Sequence, residues 1–71
     1  MERLGEKLRT LREQRGLSIR QLASQLGVKA HSHIAKIETG LNKPSVELLV
    51  KIMQFFDVSC DQLLNDDLEL D

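Results

Sequence analysis

The segment Ser18–Gly40 constrains the fold of this chain most, because it encodes two short helices joined by a tight turn. Leu22 and Leu26 are four residues apart, so both lie on one face of a first helix. Ile34 and Ile37 are three residues apart and line one face of a second helix in the same way. The segment therefore predicts a pair of amphipathic helices that pack against each other.

The turn between these two helices carries residues that permit close packing. Gly27 stands where the first helix must end in a left-handed residue, a conformation that glycine adopts without steric cost. Ala23 provides the small side chain that a close helix crossing needs. These features predict a helix-turn-helix motif, whose second helix usually enters the major groove of DNA.

Helix starts and stops can be located along the rest of the chain as well. Ser18 with Gln21, and Ser59 with Gln62, have the spacing of capping boxes at helix starts. No segment shows the alternation of a strand, so we expect an all-α fold, a compact five-helix bundle. The predicted helices begin near Leu4, Ser18, Ala30, Ser45 and Ser59, and end near Gly16, Gly27, Glu38, Phe56 and Asn65. We expect one domain over residues 1–65 and a short acidic tail over residues 66–71.

Composition narrows the functional class. Aromatic residues make up 3% of the chain, which argues against single-strand binding modules that stack bases on aromatic side chains. A single cysteine and the lack of a long apolar run predict a soluble, cytoplasmic protein. No catalytic motif stands out, so we expect neither an enzyme nor a cofactor.

The net charge of −1 conceals a strong asymmetry between the two halves of the chain. Residues 1–43 contain nine Lys and Arg against four Glu, a net charge of +5. Residues 44–71 contain Lys51 alone against seven acidic residues, a net charge of −6. Because the positive half coincides with the predicted motif, we expect it to face phosphate.

The order of these features resembles the phage repressor and Cro type of helix-turn-helix domain, the XRE family of small transcriptional regulators. The resemblance covers residues 3–65 and rests on the segments LREQRGLS, QLA with LGV, IAKIETG, PS and FDVS. It implies a lambda-repressor-like fold and a sequence-specific regulator of transcription, with double-stranded DNA as its partner. Two functions stay open, a repressor or autoregulator acting on a palindromic operator and a protein-interaction module. An antitoxin or a restriction-modification controller is a further alternative.

Two positions depart from the pattern of this family. Ile19 stands where relatives usually carry a polar residue that helps to hold a phosphate or a side chain of the recognition helix. Val28 and Ile34 are six residues apart, whereas five is usual in the family. Either the turn is longer or the third helix begins earlier, and the sequence does not distinguish between these two.

The resemblance also implies a set of DNA-contacting residues. Counted back from Ile34, the positions that would read bases are His31, Ser32 and His33, together with Lys36. Those expected to bind phosphate are Ser18, Arg20, Lys29, Thr39, Asn42 and Lys43. We expect Leu41 to point into the core with Ile34 and Ile37. For Arg9 and Arg12, a phosphate contact and a solvated face of the first helix both stay open, and the solvated face is favoured.

The fourth helix has more apolar residues than one small core requires. Val46, Leu49, Met53 and Phe56 form one stripe, and Leu48, Ile52 and Phe55 form another. We therefore expect a homodimer, joined through Phe55, Leu64 and Leu68.

Two other features of the sequence have side chains capable of metal binding or thiol chemistry. His31 and His33 diverge on a helix and lie far from the one cysteine, so no metal site is expected. Cys60 is either a reactive thiol at a helix start or inert packing.

Overall fold

The computed structural model describes residues 2–70 and contains five helices there. They are α1 (Leu4–Gln14), α2 (Ile19–Leu26), α3 (His31–Glu38), α4 (Val46–Phe56) and α5 (Cys60–Leu64). No strand occurs within residues 2–70, so the all-helical prediction is confirmed. Met1 and Asp71, which belong to the predicted domain and tail, lie outside the described residues.

The helix boundaries follow from local hydrogen bonds that the sequence predicted. The Ser18 hydroxyl accepts from the Gln21 N–H at 3.1 Å, and the Gln21 side chain accepts from the Ser18 N–H at 2.7 Å. Ser59 and Gln62 form the same capping box at the start of α5. Gly27 ends α2 with φ +73°. Both capping boxes and the left-handed stop are confirmed.

The core lies where all five helices meet. Ala23 is buried with 2% exposure, as the predicted close packing of α2 requires. On α4 the stripes were grouped wrongly, because the buried positions are Leu48, Ile52 and Phe56, whereas Val46 is 78% exposed. The buried apolar residues are Leu4, Leu8, Leu11, Leu22, Ala23, Leu26, Ile34, Ile37, Leu48, Ile52, Phe56 and Leu63.

Leu41 is the clearest error of the sequence-based core. It is 76% exposed instead of buried. The chain leaves the helix after Glu38, and Gly40 takes φ +83°. Helical periodicity therefore ends before residue 41, and counting in steps of three and four from Ile34 no longer predicts the direction of a side chain.

The crossing of α1 over α3 depends on Gly5. A Cβ atom at this position would lie 2.4 Å from the Ile37 carbonyl oxygen and 2.6 Å from that of Glu38. These distances lie far inside van der Waals contact, so only glycine lets the backbones approach this closely. Gly5 therefore sets the position of α3 relative to the rest of the domain.

Residues 66–70 pack back onto α1. The Lys7 Nζ, on a side chain with 2% exposure, donates to the carbonyls of Gln62, Asn65 and Leu68 at 2.6–2.8 Å. The Asp66 carboxylate accepts the backbone N–H groups of Glu2 and Arg3 at 2.9 Å each. Asp66 thus binds backbone N–H groups at the start of α1, and Lys7 binds backbone carbonyls at the end of α5.

Acid is expected to release this segment from α1. The backbone hydrogen bond from Arg3 lowers the pKa of Asp66 from 3.8 to about 2, with a further contribution from Glu2. A hydrogen bond from the Arg3 side chain also lowers the pKa of Glu69. A carboxyl group whose pKa is lowered by folding stabilises the fold at pH values above its pKa in the unfolded chain. This stabilisation is lost as the pH falls toward the pKa in the folded state. The melting temperature should therefore fall as the pH is lowered from 4 toward 2. In Asp66→Asn it should fall less steeply over the same range. An unchanged slope in the variant would contradict the capping role.

Candidate nucleic-acid interface

Helix α3 buries one face and exposes the other. Ile34 and Ile37 are 0% and 1% exposed, and they anchor the helix in the core. His31, Ser32 and Lys36 are exposed on the outer side, as the sequence predicted from the resemblance. The face offers an imidazole, a hydroxyl and an ammonium group, which are all able to bond to base edges.

His33 is placed differently from the other predicted base-reading residues. Its side chain is half-buried and lines a small depression with Val28, Ser45, Glu47, Leu48 and Lys51. His33 therefore lies at the junction between α3 and the start of α4, beside the exposed residues of α3.

The residues predicted to bind phosphate precede and follow α3 along the chain, and all of them are exposed. Ser18 and Arg20 at the start of α2 and Lys29 in the turn are exposed, as are Thr39, Asn42 and Lys43 after α3. The Lys36 carbonyl accepts from the Leu41 N–H at 2.9 Å and from the Asn42 N–H at 3.2 Å. It also accepts from the Thr39 hydroxyl at 3.2 Å. These bonds fold the loop against the end of α3, which places Asn42 and Lys43 beside it.

Four cations on this surface have no carboxylate partner among residues 2–70. They are Arg20, Lys29, Lys36 and Lys43, and all four are exposed. All lie within or beside the helix-turn-helix. An unpaired ammonium or guanidinium group is free to replace a counterion of a phosphate without breaking an existing ion pair.

The other basic residues of the positive half each have a partner within the domain. Arg12 was expected on a solvated face, and this is wrong: its side chain is 12% exposed and Glu38 is 5% exposed. The Arg12 guanidinium donates to the Glu38 carboxylate at 2.7 and 3.1 Å and to the Leu17 carbonyl at 2.8 Å. The hydrogen bond to Glu38 raises the pKa of Arg12 further. This pair joins α1 to the end of α3.

Arg3, Lys7 and Arg15 are engaged in other ways. Arg3 pairs with Glu6 and Glu69, and Lys7 is buried among carbonyls. The Arg15 guanidinium carbon lies 4.9 Å from the ring centroid of Phe55. Of the cations on α1, only Arg9 is where it was expected, exposed with an ion pair to Glu13 at 3.5 Å. The positive charge of residues 1–43 is therefore not all available to phosphate, because Arg3, Lys7 and Arg15 have partners within the domain.

The sequence contained a signal for these internal roles. Lys7 is three residues after Leu4 and four before Leu11, so it shares their face of α1. Arg12 follows Leu8 by four residues, and Glu38 follows Ile34 by four. Charged residues in register with a buried stripe indicate partners inside the fold.

The residues predicted to join two copies differ in exposure. Phe55 is half-buried under Arg15 and Leu64 is half-buried against the core, whereas Leu68 is 42% exposed. Cys60, the first residue of α5, is exposed.

Residues 2–70 were also compared with the requirements of a metal site and of a membrane span. Within that range no three or more His, Cys, Asp or Glu side chains are grouped so that they could hold a metal ion. In the same part of the chain, every helix is too short or too polar to cross a membrane.

Comparison with known proteins places this geometry among regulators of transcription. The family model described as Helix-turn-helix matches residues 8–63. The chain is 37% identical over 64 residues to the HTH-type transcriptional regulator SinR of Bacillus licheniformis, covering 89% of this chain and 57% of that protein. It is 37% identical over 59 residues to the regulator AnsR of Bacillus subtilis (strain 168), covering 83% of this chain and 50% of AnsR. The chain thus spans about half the length of these two relatives.

A further relative and a solved structure extend the comparison. The transcriptional activator BcrR of Enterococcus faecalis is 43% identical over 60 residues, covering 84% of this chain and 29% of BcrR. The solved N-terminal DNA-binding domain of SinR from Bacillus subtilis superposes with a TM-score of 0.83 at 33% identity, covering 97% of this chain and all of that one. These relatives are named as transcriptional regulators, and none as an enzyme.

Proposed function

The chain belongs to the XRE family of helix-turn-helix transcriptional regulators, and from this membership we propose that it binds double-stranded DNA through α3. In this proposal α3 enters the major groove, where His31, Ser32, His33 and Lys36 contact base edges. The protein acts in the cytoplasm on a specific operator as a repressor or autoregulator.

One observation carries the proposal. The four exposed cations without a carboxylate partner among residues 2–70 all border α2 and α3, whereas most other basic residues bond inside the domain. Neutralising one phosphate contributes about −0.9 to the slope of log affinity against log salt concentration. Three phosphate contacts from each copy, by Arg20, Lys29 and Lys43, would give a slope of about −2.7, because Lys36 is assigned to base edges. Ser18, Thr39 and Asn42 add neutral donors to this phosphate-binding set.

We further propose that two copies bind a palindromic operator. One α3 of eight residues offers few base contacts, and a second, symmetric copy multiplies affinity through effective concentration. Two-fold symmetry places the two α3 helices about 34 Å apart, on successive turns of the major groove. The interface of Phe55, Leu64 and Leu68 stays a prediction.

Alanine substitutions should separate base reading from phosphate binding. Ser32→Ala or His31→Ala should weaken binding to the preferred duplex by about 1–3 kcal/mol and leave binding to random duplex nearly unchanged. Lys43→Ala should weaken both equally and reduce the magnitude of the salt slope by about one, because one counterion fewer is released. Fluorescence anisotropy titrations at several salt concentrations measure both effects.

Arg9→Ala is the matched control, because Arg9 is exposed but already paired with Glu13 on α1. It should leave the slope and the sequence preference unchanged. A protein-interaction module on the same fold would have no duplex for which the Ser32 and His31 variants differ from the parent protein. That outcome would refute base reading by α3.

A further inference from the structure

The outer face of α3 carries four side chains of different chemistry. They are at least partly exposed, each lies three or four residues from another member of the set, and they are His31, Ser32, Ala35 and Lys36. Lys36 has the longest of these side chains, with an ammonium group at the end of a four-carbon stem. In the part of the chain that the structure describes, no carboxylate pairs with this ammonium group. Lys36 is therefore free to donate to a ligand on this face.

The one carboxylate of α3 is already bonded within the domain. The Glu38 side chain is 5% exposed, and its two oxygens accept from the Arg12 guanidinium at 2.7 and 3.1 Å. The helix contains neither asparagine nor glutamine. A carboxylate is the group that accepts from N4 of cytosine, and an amide is the group that pairs with N6 and N7 of adenine. The outer face of α3 therefore lacks the side chains that best read these two bases.

The backbone of Lys36 is held in place more firmly than a helix end usually is. Its carbonyl accepts from the N–H groups of Leu41 at 2.9 Å and Asn42 at 3.2 Å, and from the Thr39 hydroxyl at 3.2 Å. The next residue, Ile37, is 1% exposed and anchors the helix in the core. The Lys36 side chain therefore leaves α3 from a fixed point, which favours one contact over many.

Lys36 also differs in place from the other three cations that have no carboxylate partner among residues 2–70. It lies inside α3, whereas Arg20 and Lys29 precede the helix and Lys43 follows it. A side chain on the outer face of a helix in the major groove points at base edges, and residues that flank such a helix meet the phosphate backbone. The position of Lys36 thus favours a contact with a base.

From these observations we infer that Lys36 determines specificity by selecting guanine, so that each half-site contains a guanine whose N7 and O6 accept from its ammonium group. The inference rests on the proposed binding of DNA through α3 and adds the identity of one base. Guanine presents two neighbouring acceptors in the major groove, whereas adenine places the N6 donor beside N7. An ammonium group only donates, so adenine would set a donor against it.

Selection from random duplex DNA with the parent protein, Lys36→Met and Lys36→Gln tests the inference. The parent consensus should contain a guanine at a position where Lys36→Met shows no preference. At this position the parent protein should bind guanine about 5- to 100-fold more tightly than adenine. Lys36→Gln should prefer adenine there, because its amide donates to N7 and accepts from N6. Lysine, methionine and glutamine have similar helix propensities, and thermal unfolding checks that each variant is folded.

The matched control in the protein is Lys43→Met, which removes another exposed lysine without a carboxylate partner among residues 2–70. It should weaken binding to all sequences and leave the preference for guanine intact. Two base analogues provide the control in the DNA. Inosine lacks only the N2 amino group in the minor groove and should bind the parent protein nearly as well as guanine. Replacing the guanine with 7-deazaguanine removes the N7 acceptor, which should weaken binding of the parent protein but not of Lys36→Met.

The contrary outcomes separate the inference from the proposed function. If Lys36→Met relaxes a position that is not guanine, such as a thymine read through O4, the assignment to guanine is wrong. If Lys36→Met enriches the parent consensus unchanged, Lys36 reads no base, and the inference fails while sequence-specific binding stands. If the parent protein enriches no sequence, the proposed function itself fails.

Discussion

Replacing Gly5 with alanine is expected to lower the free energy of unfolding by about 3 kcal/mol. The added Cβ would lie 2.4 and 2.6 Å from two carbonyl oxygens of α3. Both are backbone atoms, so the overlap can be relieved only by moving α1 away from α3. Alanine gains about 1 kcal/mol in helix propensity over glycine, which is too little to offset the overlap.

Thermal and urea unfolding of the variant measure this effect. A loss of 3 kcal/mol corresponds to a fall in Tm of about 12–24 °C for a domain of this size. Gly16→Asn is the matched control, because a Cβ there meets no atom within 4 Å and asparagine tolerates the φ of +67°. It should cost no more than about 1–2 kcal/mol. Equal stability of Gly5→Ala and the parent protein would show that α1 and α3 do not cross this closely.

Replacing Arg12 with methionine is expected to cost about 3–5 kcal/mol. The substitution removes the partner of a carboxylate that is 5% exposed, and it removes a donor to the Leu17 carbonyl. A buried charge without a partner is far more costly than a buried ion pair. Because Glu38 ends α3, loss of this bond should also loosen the helix that carries the proposed base contacts.

Two controls isolate the buried pair. Arg9→Met removes an exposed pair and should change stability by less than about 1 kcal/mol. The double variant Arg12→Met with Glu38→Leu removes both charges and should recover much of the loss, since a buried pair replaced by apolar residues is often neutral. If Arg12→Met is as mild as Arg9→Met, the contact with Glu38 does not stabilise the fold.

Sequence reasoning succeeded where the determinants are local. The capping boxes at Ser18 and Ser59, and the stop at Gly27, each depend on residues within a few positions of one another. The same holds for the burial of Ile34 and Ile37, which follows from helical spacing. These features fix the exposed face of α3, and the resemblance to the repressor family then indicates which of its residues would read bases, an assignment that stays a prediction.

The features that the sequence did not predict depend on tertiary contacts. Gly5 lies inside a helix, and its need for glycine appears only when the backbone of α3 lies against it. Helical register indicates that Lys7 lies on the buried face of α1, but its carbonyl partners are more than 50 residues away and no local pattern identifies them. The error at Leu41 arose because a helical period was extended past the end of the helix.

The charged residues show the same contrast between what the sequence predicts locally and what depends on a distant partner. Counting residues located the positive half of the chain but could not say which cations have partners. Arg12 and Glu38 are 26 positions apart and meet only because α1 crosses α3. Once the cations with partners are excluded, Arg20, Lys29, Lys36 and Lys43 stay without a carboxylate partner among residues 2–70. All four lie within or beside the helix-turn-helix.

Selection from a pool of random duplex DNA tests the central claim most directly, namely that the exposed face of α3 reads sequence. The parent protein should enrich a consensus with two-fold symmetry and half-sites about 10 base pairs apart. The Ser32→Ala protein should enrich a consensus that is relaxed at one position in each half-site. Failure of the parent protein to enrich any sequence, or an identical consensus from variants at His31, Ser32 and Lys36, would contradict the account.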